Sequence, residues 1–403
     1  MIVAKFGGTC LQDDRSRGAA LEACLGLLGE HGRLVVVVSA MGRAGDPYAT
    51  DTLSGLAAHA DSRERDLVLA CGEVISAVVF SSLLRERGVE VRAMTGWEAG
   101  IRTDGVVSDS CVSSVDPGAV LEALGRFPCV VVAGFQGMGP DGSVTTLGRG
   151  GSDTSAVCLA AALGCGRVLL YKTVESVFTA DPEVVPAARP LERVSAEDIR
   201  QMAWQGAKVV HPRAAEIAEQ ASLTIELRSQ STGRTVTTVE PVAIRSGRYV
   251  TGVAAGPSVV QVTADGPADV PARDFFDRVF SLIAGEGVSM DLFSVFGSRA
   301  VFTVRTDDSE ATAGALTGAG IPHTLSGPCR KVSIVGAGMH GMRGVMAHFA
   351  RALAGAGIDM LQTVDSHATI SALVRDGDGD AALRALHEEF IEKPPCPERE
   401  GAV

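Results

Sequence analysis

Aromatic residues are scarce in this chain of 403 residues, where Trp, Tyr and Phe together make up 4% against 46% hydrophobic residues overall. Any core it builds must be aliphatic. Lysine is scarcer still: only Lys5, Lys172, Lys208, Lys331 and Lys393 stand among 36 basic residues. The first three sit in glycine-containing or motif-like segments, whereas Lys331 and Lys393 read as surface residues. The net charge of −12 argues against nucleic acid or an anionic membrane as partner, since neither would be attracted. Local positive charge must therefore hold any anionic ligand. The nine cysteines are odd in number, scattered and without a C-x-x-C pair, which excludes a disulfide framework and fits reduced thiols. There is no G-x-x-x-x-G-K-[ST] loop, no Ser/His/Asp set and no metal-ligand cluster, so no protein-held metal is expected. Apolar runs are strand-length, short of a membrane span, and Met1 leads directly into a strand without a leader. The expectation is a soluble cytoplasmic protein.

What is present is concentrated in Thr145-Thr146-Leu147-Gly148-Arg149-Gly150-Gly151-Ser152-Asp153-Thr154-Ser155. Three glycines, one cation, one anion and five hydroxyls occupy a single strand-to-helix turn. Glycines let backbone N–H groups approach an anion, and a helix N-terminus adds partial positive charge. Arg149 can fork onto a carboxylate, and a merely structural turn needs only one capping residue. A second turn, Lys5-Phe6-Gly7-Gly8-Thr9, ends the first strand as a short phosphate cradle with a lysine point charge. Taken alone, Gly-Gly after a strand is usually just a turn.

Up to about residue 230, strand-like runs at residues 2–6, 34–39, 91–95, 129–133, 168–171 and 223–227 alternate with helical patterns at 15–30, 64–87, 119–126, 152–163 and 196–205. This alternation predicts an α/β fold with a mainly parallel sheet covered by helices, its ligands at the ends of strands. A polar stretch rich in Ser, Thr and Arg, residues 229–248, places a domain boundary. Beyond it Ile283-Ala284-Gly285-Glu286-Gly287 returns as Leu353-Ala354-Gly355-Ala356-Gly357, and Val301-Phe302-Thr303-Val304-Arg305 as Ser371-Ala372-Leu373-Val374-Arg375. Each copy reads strand, helix, strand, strand, helix. Gly336-Ala337-Gly338-Met339-His340-Gly341 fits G-x-G-x-x-G, but too little chain follows it for a dinucleotide fold.

The chain resembles the aspartate kinases of the amino-acid-kinase superfamily. The matching segments are Lys5-Phe6-Gly7-Gly8-Thr9, Val37-Val38-Ser39-Ala40-Met41-Gly42, Cys71-Gly72-Glu73, the Gly134 to Ser155 region, Phe178-Thr179-Ala180-Asp181-Pro182 and Gly206-Ala207-Lys208-Val209-Val210-His211-Pro212-Arg213. The resemblance implies a catalytic domain over residues 1–230, a linker over 231–250, α+β ACT domains over 251–328 and 329–395, and a tail over 396–403. It implies ATP and L-aspartate as substrates, with Mg2+ accompanying ATP. Lys5, Gly8 and Asp153 take catalytic positions, with Asp153 orienting lysines. Thr50, Glu73, Arg149, Gly150, Gly151 and Ser152 bind aspartate, with Glu73 on its ammonium and Arg149 on its α-carboxylate. Lys5, Phe6, Gly7, Gly8, Lys172, Thr173, Phe178, Asp181, Glu183, Lys208 and Val209 face the nucleotide. His211 reads as structural.

Three positions depart from the family pattern: Thr173 replaces an aspartate, Phe178 a tyrosine and Glu183 an arginine. They imply a nucleotide pocket that is either degraded or re-specialised. Leu361-Gln362-Thr363-Val364-Asp365-Ser366-His367 looks most like the diaminopimelate-sensitive bacterial isozymes. This implies an effector site at Met342, Gly344, Asp365, Ser366 and His367, taking diaminopimelate or lysine, and a homo-oligomer formed through the ACT domains. The leading expectation is aspartate kinase activity. Its rivals are an enzyme of a specialised pathway with altered acceptor or nucleotide use, and a non-catalytic regulatory subunit.

Overall fold

The runs Ile2–Phe6, Leu34–Val38 and Cys129–Ala133 are buried at every position, as strands covered on both faces must be. They form the centre of an eight-stranded sheet in a computed structural model that describes residues 1–173, 176–207, 210–242, 248–339 and 341–393. The strand order is Arg193–Ser195, Thr235–Glu240, Thr224–Ser229, Arg167–Lys172, Ile2–Phe6, Leu34–Val38, Cys129–Ala133, Val91–Met94. All neighbours are parallel except Thr224–Ser229 with Thr235–Glu240. Its core is aliphatic apart from a few rings: Phe6 stacks on Tyr171 at 4.5 Å and lies near Phe80. A second sheet of four short strands, Val112–Val115, Ile101–Thr103, Gln136–Met138 and Val144–Thr146, was not foreseen. One of these strands, Val144–Thr146, leads into the glycine-rich turn, which runs on into the helix Gly151–Ala162.

Among the described residues one helix, Ser62–Glu86, is long and apolar enough by length and composition to cross a membrane, with a mean hydropathy of 2.2 in its best window. This corrects the expectation that apolar runs are only strand-length. The helix starts at an Asp61 capping box with Glu64 and sets Ala77, Phe80 and Leu84 into the main core. It also buries two carboxylates, Asp66 and Glu73, side chains that are costly in a lipid-facing span.

The chain divides into two compact units. The first comprises the described residues of Met1–Val177, Pro190–Ala203 and Lys208–Ile244, the second those of Phe178–Arg189, Trp204–Ala207 and Arg245–Val403. The excursion of the chain from Val177 to Pro190 is closed at its base by Leu191 N–H donating to the Val177 carbonyl at 2.8 Å. Within the second unit, that excursion sets Ala180 and Val185 into an apolar cluster with Val332, Ile334, Phe349, Leu353 and Leu386.

The second unit is built on one antiparallel six-stranded sheet, ordered Asp291–Phe296, Arg299–Arg305, Gly252–Asp265, His323–Val335, Thr369–Arg375, Gln362–Asp365. The sequence repeat is visible in it. Ile283 and Leu353 are buried near the ends of the helices Ala272–Gly285 and Val345–Gly355, and each carbonyl accepts from the N–H five residues on. The two copies share their long strands: residues 258–264 pair with 323–330, and 252–255 with 332–335. The fourth strand of the second copy thus precedes the first copy in the chain. Gly336 has a packing explanation, since a Cβ there would lie 2.3 Å from the Tyr249 carbonyl oxygen.

Candidate active site

Lys5 and Lys172 stand at the carboxyl ends of neighbouring parallel strands, where α/β sheets bind ligands. Asp153, in the first turn of the Gly151–Ala162 helix, lies between them. Its Oδ1 is 2.7 Å from Lys5 Nζ and its Oδ2 is 2.6 Å from Lys172 Nζ. Burial alone would raise the Asp153 carboxyl, but Lys172 and Lys5 outweigh it and hold the group well below the usual carboxylate range. Lys172 is pulled below the ordinary lysine value by burial, against the opposing pull of Asp153. The trio keeps one net positive charge, suited to a polyanion. Gly8 lets the adjoining loop close over this end of the sheet: a Cβ there would meet the Ala40 carbonyl oxygen at 2.5 Å and that of Gly42 at 2.8 Å.

Glu73 is 2% exposed. Its Oε1 accepts from the Ala40 N–H at 3.0 Å, while its buried Oε2 finds no hydrogen-bond partner among the described residues. Burial pushes its carboxyl up to about 8, with Ala40 and Lys5 opposing. A buried carboxylate oxygen without a donor is costly, and a cation or donor beside it would offset that cost.

Gly150 caps the Gly151–Ala162 helix at φ +73°, and a Cβ there would collide with the His211 ring at 2.5 Å. His211 therefore floors the turn. Burial lowers its pKa, against Asp153, and its Nδ1 is without a partner among the described residues. Arg149 projects from the turn with 94% of its side chain exposed and Asp51 at 3.7 Å, leaving its guanidinium available. Lys5, Thr50, Glu73, Arg149, Gly150, Gly151, Ser152, Asp153 and Lys172 line one cleft of about 590 Å³ in the first unit.

Residues 1–229 match the model of the amino acid kinase family, and residues 332–390 match an ACT domain. Aspartokinase 1 of Bacillus subtilis (strain 168) is 42% identical over 400 residues, covering 97% of this chain and 98% of the relative. The chain belongs to the aspartokinase family. The aspartokinase of Mycolicibacterium smegmatis is 36% identical over 411 residues, covering 97% and 96% of the two chains. In fold, the chain is similar to E. coli aspartokinase III in complex with aspartate and ADP, with a TM-score of 0.78, 22% identity, and coverage of 97% of this chain and 99% of that one.

Not every residue expected in an aspartokinase site falls in the cleft. The Phe6 side chain is core, fully buried, so only its backbone is available to a ligand. Gly7 and Gly8 lie on the turn after the first strand, and Thr173 Oγ1 is 3.3 Å from Thr9 Oγ1 in that turn. Phe178, Asp181 and Glu183 belong to the second unit. There, Asp181 Oδ1 accepts from the Glu183 N–H at 3.0 Å. Lys208 and Val209 lie outside the described residues, as do Val174, Glu175, His340 and the tail. Of the effector positions, Gly344 caps the Val345–Gly355 helix at φ +84°, and Met342 packs against the apolar cluster of the second copy. Asp365 ends the edge strand Gln362–Asp365, and Ser366 Oγ is 2.8 Å from Thr369 Oγ1. His367 follows on the same turn.

The cleft also takes in Ser39, Arg43, Ser54, Arg65, Leu69, Ser108 and Phe135, which sequence reasoning missed. Ser108 and Phe135 both hold positive φ, 69° each, without being glycine, a conformation the sequence does not announce.

Proposed function

We propose that the first-unit cleft is where this aspartokinase transfers the γ-phosphate of ATP to the side-chain carboxylate of L-aspartate, giving 4-phospho-L-aspartate. Such a product opens the route to diaminopimelate, lysine, threonine and methionine. The observation that carries the reading is the pairing, in one cleft, of the Lys5–Asp153–Lys172 trio with a buried Glu73 whose Oε2 lacks a donor. The acceptor's carboxylate needs no base, since it is ionised at neutral pH with a reference pKa of about 3.9. What it needs is positioning against a polyanion and positive charge on the transferring group. Glu73 Oε2 accepts from the acceptor's ammonium, Arg149 forks onto its α-carboxylate, and Thr50, Gly150, Gly151 and Ser152 shape the pocket between. Lys5 and Lys172 then neutralise the transferring phosphoryl group, and Asp153 keeps the two ammoniums at a working separation.

ATP brings Mg2+ with it. Among the described residues no group of three or more His, Cys, Asp or Glu could hold a metal ion, and Asp153 is engaged by both lysines. The residues therefore fit a cation carried on the phosphates rather than in a protein cage. When bound, it shields the charge of the phosphates. The aspartokinase pattern also implies nucleotide contacts for Phe178, Asp181, Glu183, Lys208 and Val209, of which the first three belong to the second unit and the last two lie outside the described residues. A second reading, altered nucleotide use, is favoured by Glu183, because a carboxylate in place of a cation repels phosphate.

The ACT domains receive a free amino acid, diaminopimelate or lysine, at Met342, Gly344, Asp365, Ser366 and His367. They also pair two copies into a homodimer working in the cytoplasm. E. coli aspartokinase III, of like fold with a TM-score of 0.73, is known in complex with lysine and aspartate. An ADP-release assay across acceptor amino acids tests the proposal. Wild type should turn over aspartate, Lys5→Ala should lose turnover while keeping its fold, and Glu73→Gln should lose aspartate affinity. Normal kcat in Lys5→Ala would overturn it.

A further inference from the structure

Asp66 is fully buried, and among the described residues no cation is paired with it. All its acceptor capacity goes to two residues distant in sequence. Oδ2 accepts from the Ser108 N–H at 2.9 Å and the Thr146 N–H at 3.0 Å. Oδ1 accepts from the Ser108 hydroxyl at 3.3 Å and the Thr146 hydroxyl at 2.8 Å. Ser108 is one of the few non-glycine residues at positive φ, so a backbone of low intrinsic preference is held in place by this carboxylate. Ser108 and Thr146 both line the cleft, and Thr146 is followed directly by Leu147-Gly148-Arg149. Asp66 stands seven residues before Glu73 on the Ser62–Glu86 helix, which sets both carboxylates on one helix face.

We infer that Asp66 is the positioning residue that sets acceptor length. One rigid helix carries Glu73, which takes the acceptor's ammonium, and Asp66, which ties the opposite wall and the Arg149 turn to that same helix. The gap that the acceptor must bridge is thereby fixed, so loosening the wall from the helix changes which side-chain length the site favours. Neighbouring groups support the wall from the other side, where Arg213 pairs with Asp109 at 3.0 Å and donates to the Ser110 carbonyl. The inference rests on the reading of the cleft as the acceptor site.

The test compares Asp66→Leu with Asp66→Asn in steady-state assays with aspartate and glutamate as acceptors. Leucine removes all four acceptor bonds. Asparagine can keep them, its carbonyl facing the two N–H groups and its amide donating to the two hydroxyls. Asp66→Leu should raise KM for aspartate about tenfold or more and cut the aspartate-over-glutamate preference by about tenfold, the scale on which pockets discriminate one methylene. KM for ATP should stay within about twofold of wild type, because the phosphate end does not touch Asp66. Asp66→Asn should restore most of the preference. Thr146→Val combined with Ser108→Ala removes only the hydroxyl bonds and should move both quantities the same way by less, which keeps the test open if Asp66→Leu does not fold. An unchanged acceptor preference in Asp66→Leu or, where that variant does not fold, in Thr146→Val combined with Ser108→Ala, or an equal rise in both KM values, would overturn the inference. Glu73→Gln assayed alongside separates the two levels. If it leaves KM for aspartate unchanged, the acceptor-site reading falls and this inference with it. If it raises KM while Asp66→Leu does not, only the role of Asp66 falls.

Discussion

The proton on Glu73 should govern aspartate capture. Its carboxyl sits at about 8 rather than the ordinary 4.5 because the group is buried with one oxygen lacking a donor. At pH 7 a group with that pKa is ionised in only about one molecule in ten, yet the ammonium of aspartate needs the ionised form. Capture is then linked to loss of one proton, so kcat/KM for aspartate should rise close to tenfold per unit below pH 8, or about fifty-fold from pH 6 to 8. kcat at saturating aspartate should change far less, since a bound ammonium itself holds Glu73 ionised. Glu73→Gln removes the titrating group and should flatten the kcat/KM profile at a low value. Stability carries the opposite signature. Because the folded pKa lies above the unfolded one, the proton-linked stability is complete below about 4.5 and is lost as pH rises through about 8. Melting curves for Glu73→Gln should therefore exceed wild type increasingly toward pH 8. A wild-type kcat/KM profile that rises less than about threefold between pH 6 and 8, or a steep one that survives in Glu73→Gln, would refute the argument.

Other substitutions probe the remaining parts of the site. Arg149→Lys keeps the charge but loses the fork, which should cost about 2 kcal/mol in kcat/KM for aspartate without changing the melting temperature, given how exposed the side chain is; kinetics equal to wild type would remove its role as a clamp. Glu183→Arg, alone or with Thr173→Asp, should lower KM for ATP if the nucleotide side is degraded, while a higher KM would mark a re-specialised pocket. Inhibition by millimolar amino acids should favour diaminopimelate or lysine over threonine and should strengthen in Ala272→Gly, where a methyl group leaves the start of the Ala272–Gly285 helix. Strong threonine inhibition that the variant leaves unchanged would overturn both expectations.

Much of the site was legible because its chemistry is local in sequence. Arg149, Gly150, Gly151, Ser152 and Asp153 share one turn, and Lys5 ends a strand too apolar to be anything else. The parallel strands were readable for the same reason, as runs such as Leu34–Val38 contain no polar residue. Asp66 was not legible, since its partners lie 42 and 80 residues away and a lone aspartate on an apolar helix carries no periodic signal. The four-stranded sheet escaped notice because three of its strands, Ile101–Thr103, Gln136–Met138 and Val144–Thr146, have only three residues each. The shared long strands escaped for a different reason. A repeat found by matching segments says which pieces are alike, not which copy lends a strand to which.

The excursion that sets Ala180 and Val185 among Val332, Ile334 and Phe349 has a consequence for anyone dissecting this chain. Thr179 is held there on three sides: its carbonyl accepts from the Val253 N–H at 2.7 Å, its hydroxyl accepts from the Arg189 N–H at 2.9 Å, and the same hydroxyl lies 2.9 Å from Nε2 of the buried His387. A fragment ending near residue 244 would keep the whole eight-stranded sheet, yet Thr179 would lose Val253 and His387 and keep only the Arg189 N–H within its own segment. The lost apolar burial alone comes to about 1.5–3 kcal/mol for a side chain such as Val185. A cut between the two repeats fares no better, since it parts residues 332–335 from the strand at 252–255. Neither the kinase half nor the last repeat is a detachable cassette, and gene fusions or truncations at those points should yield proteins that clump or are clipped by proteases at the orphaned segment.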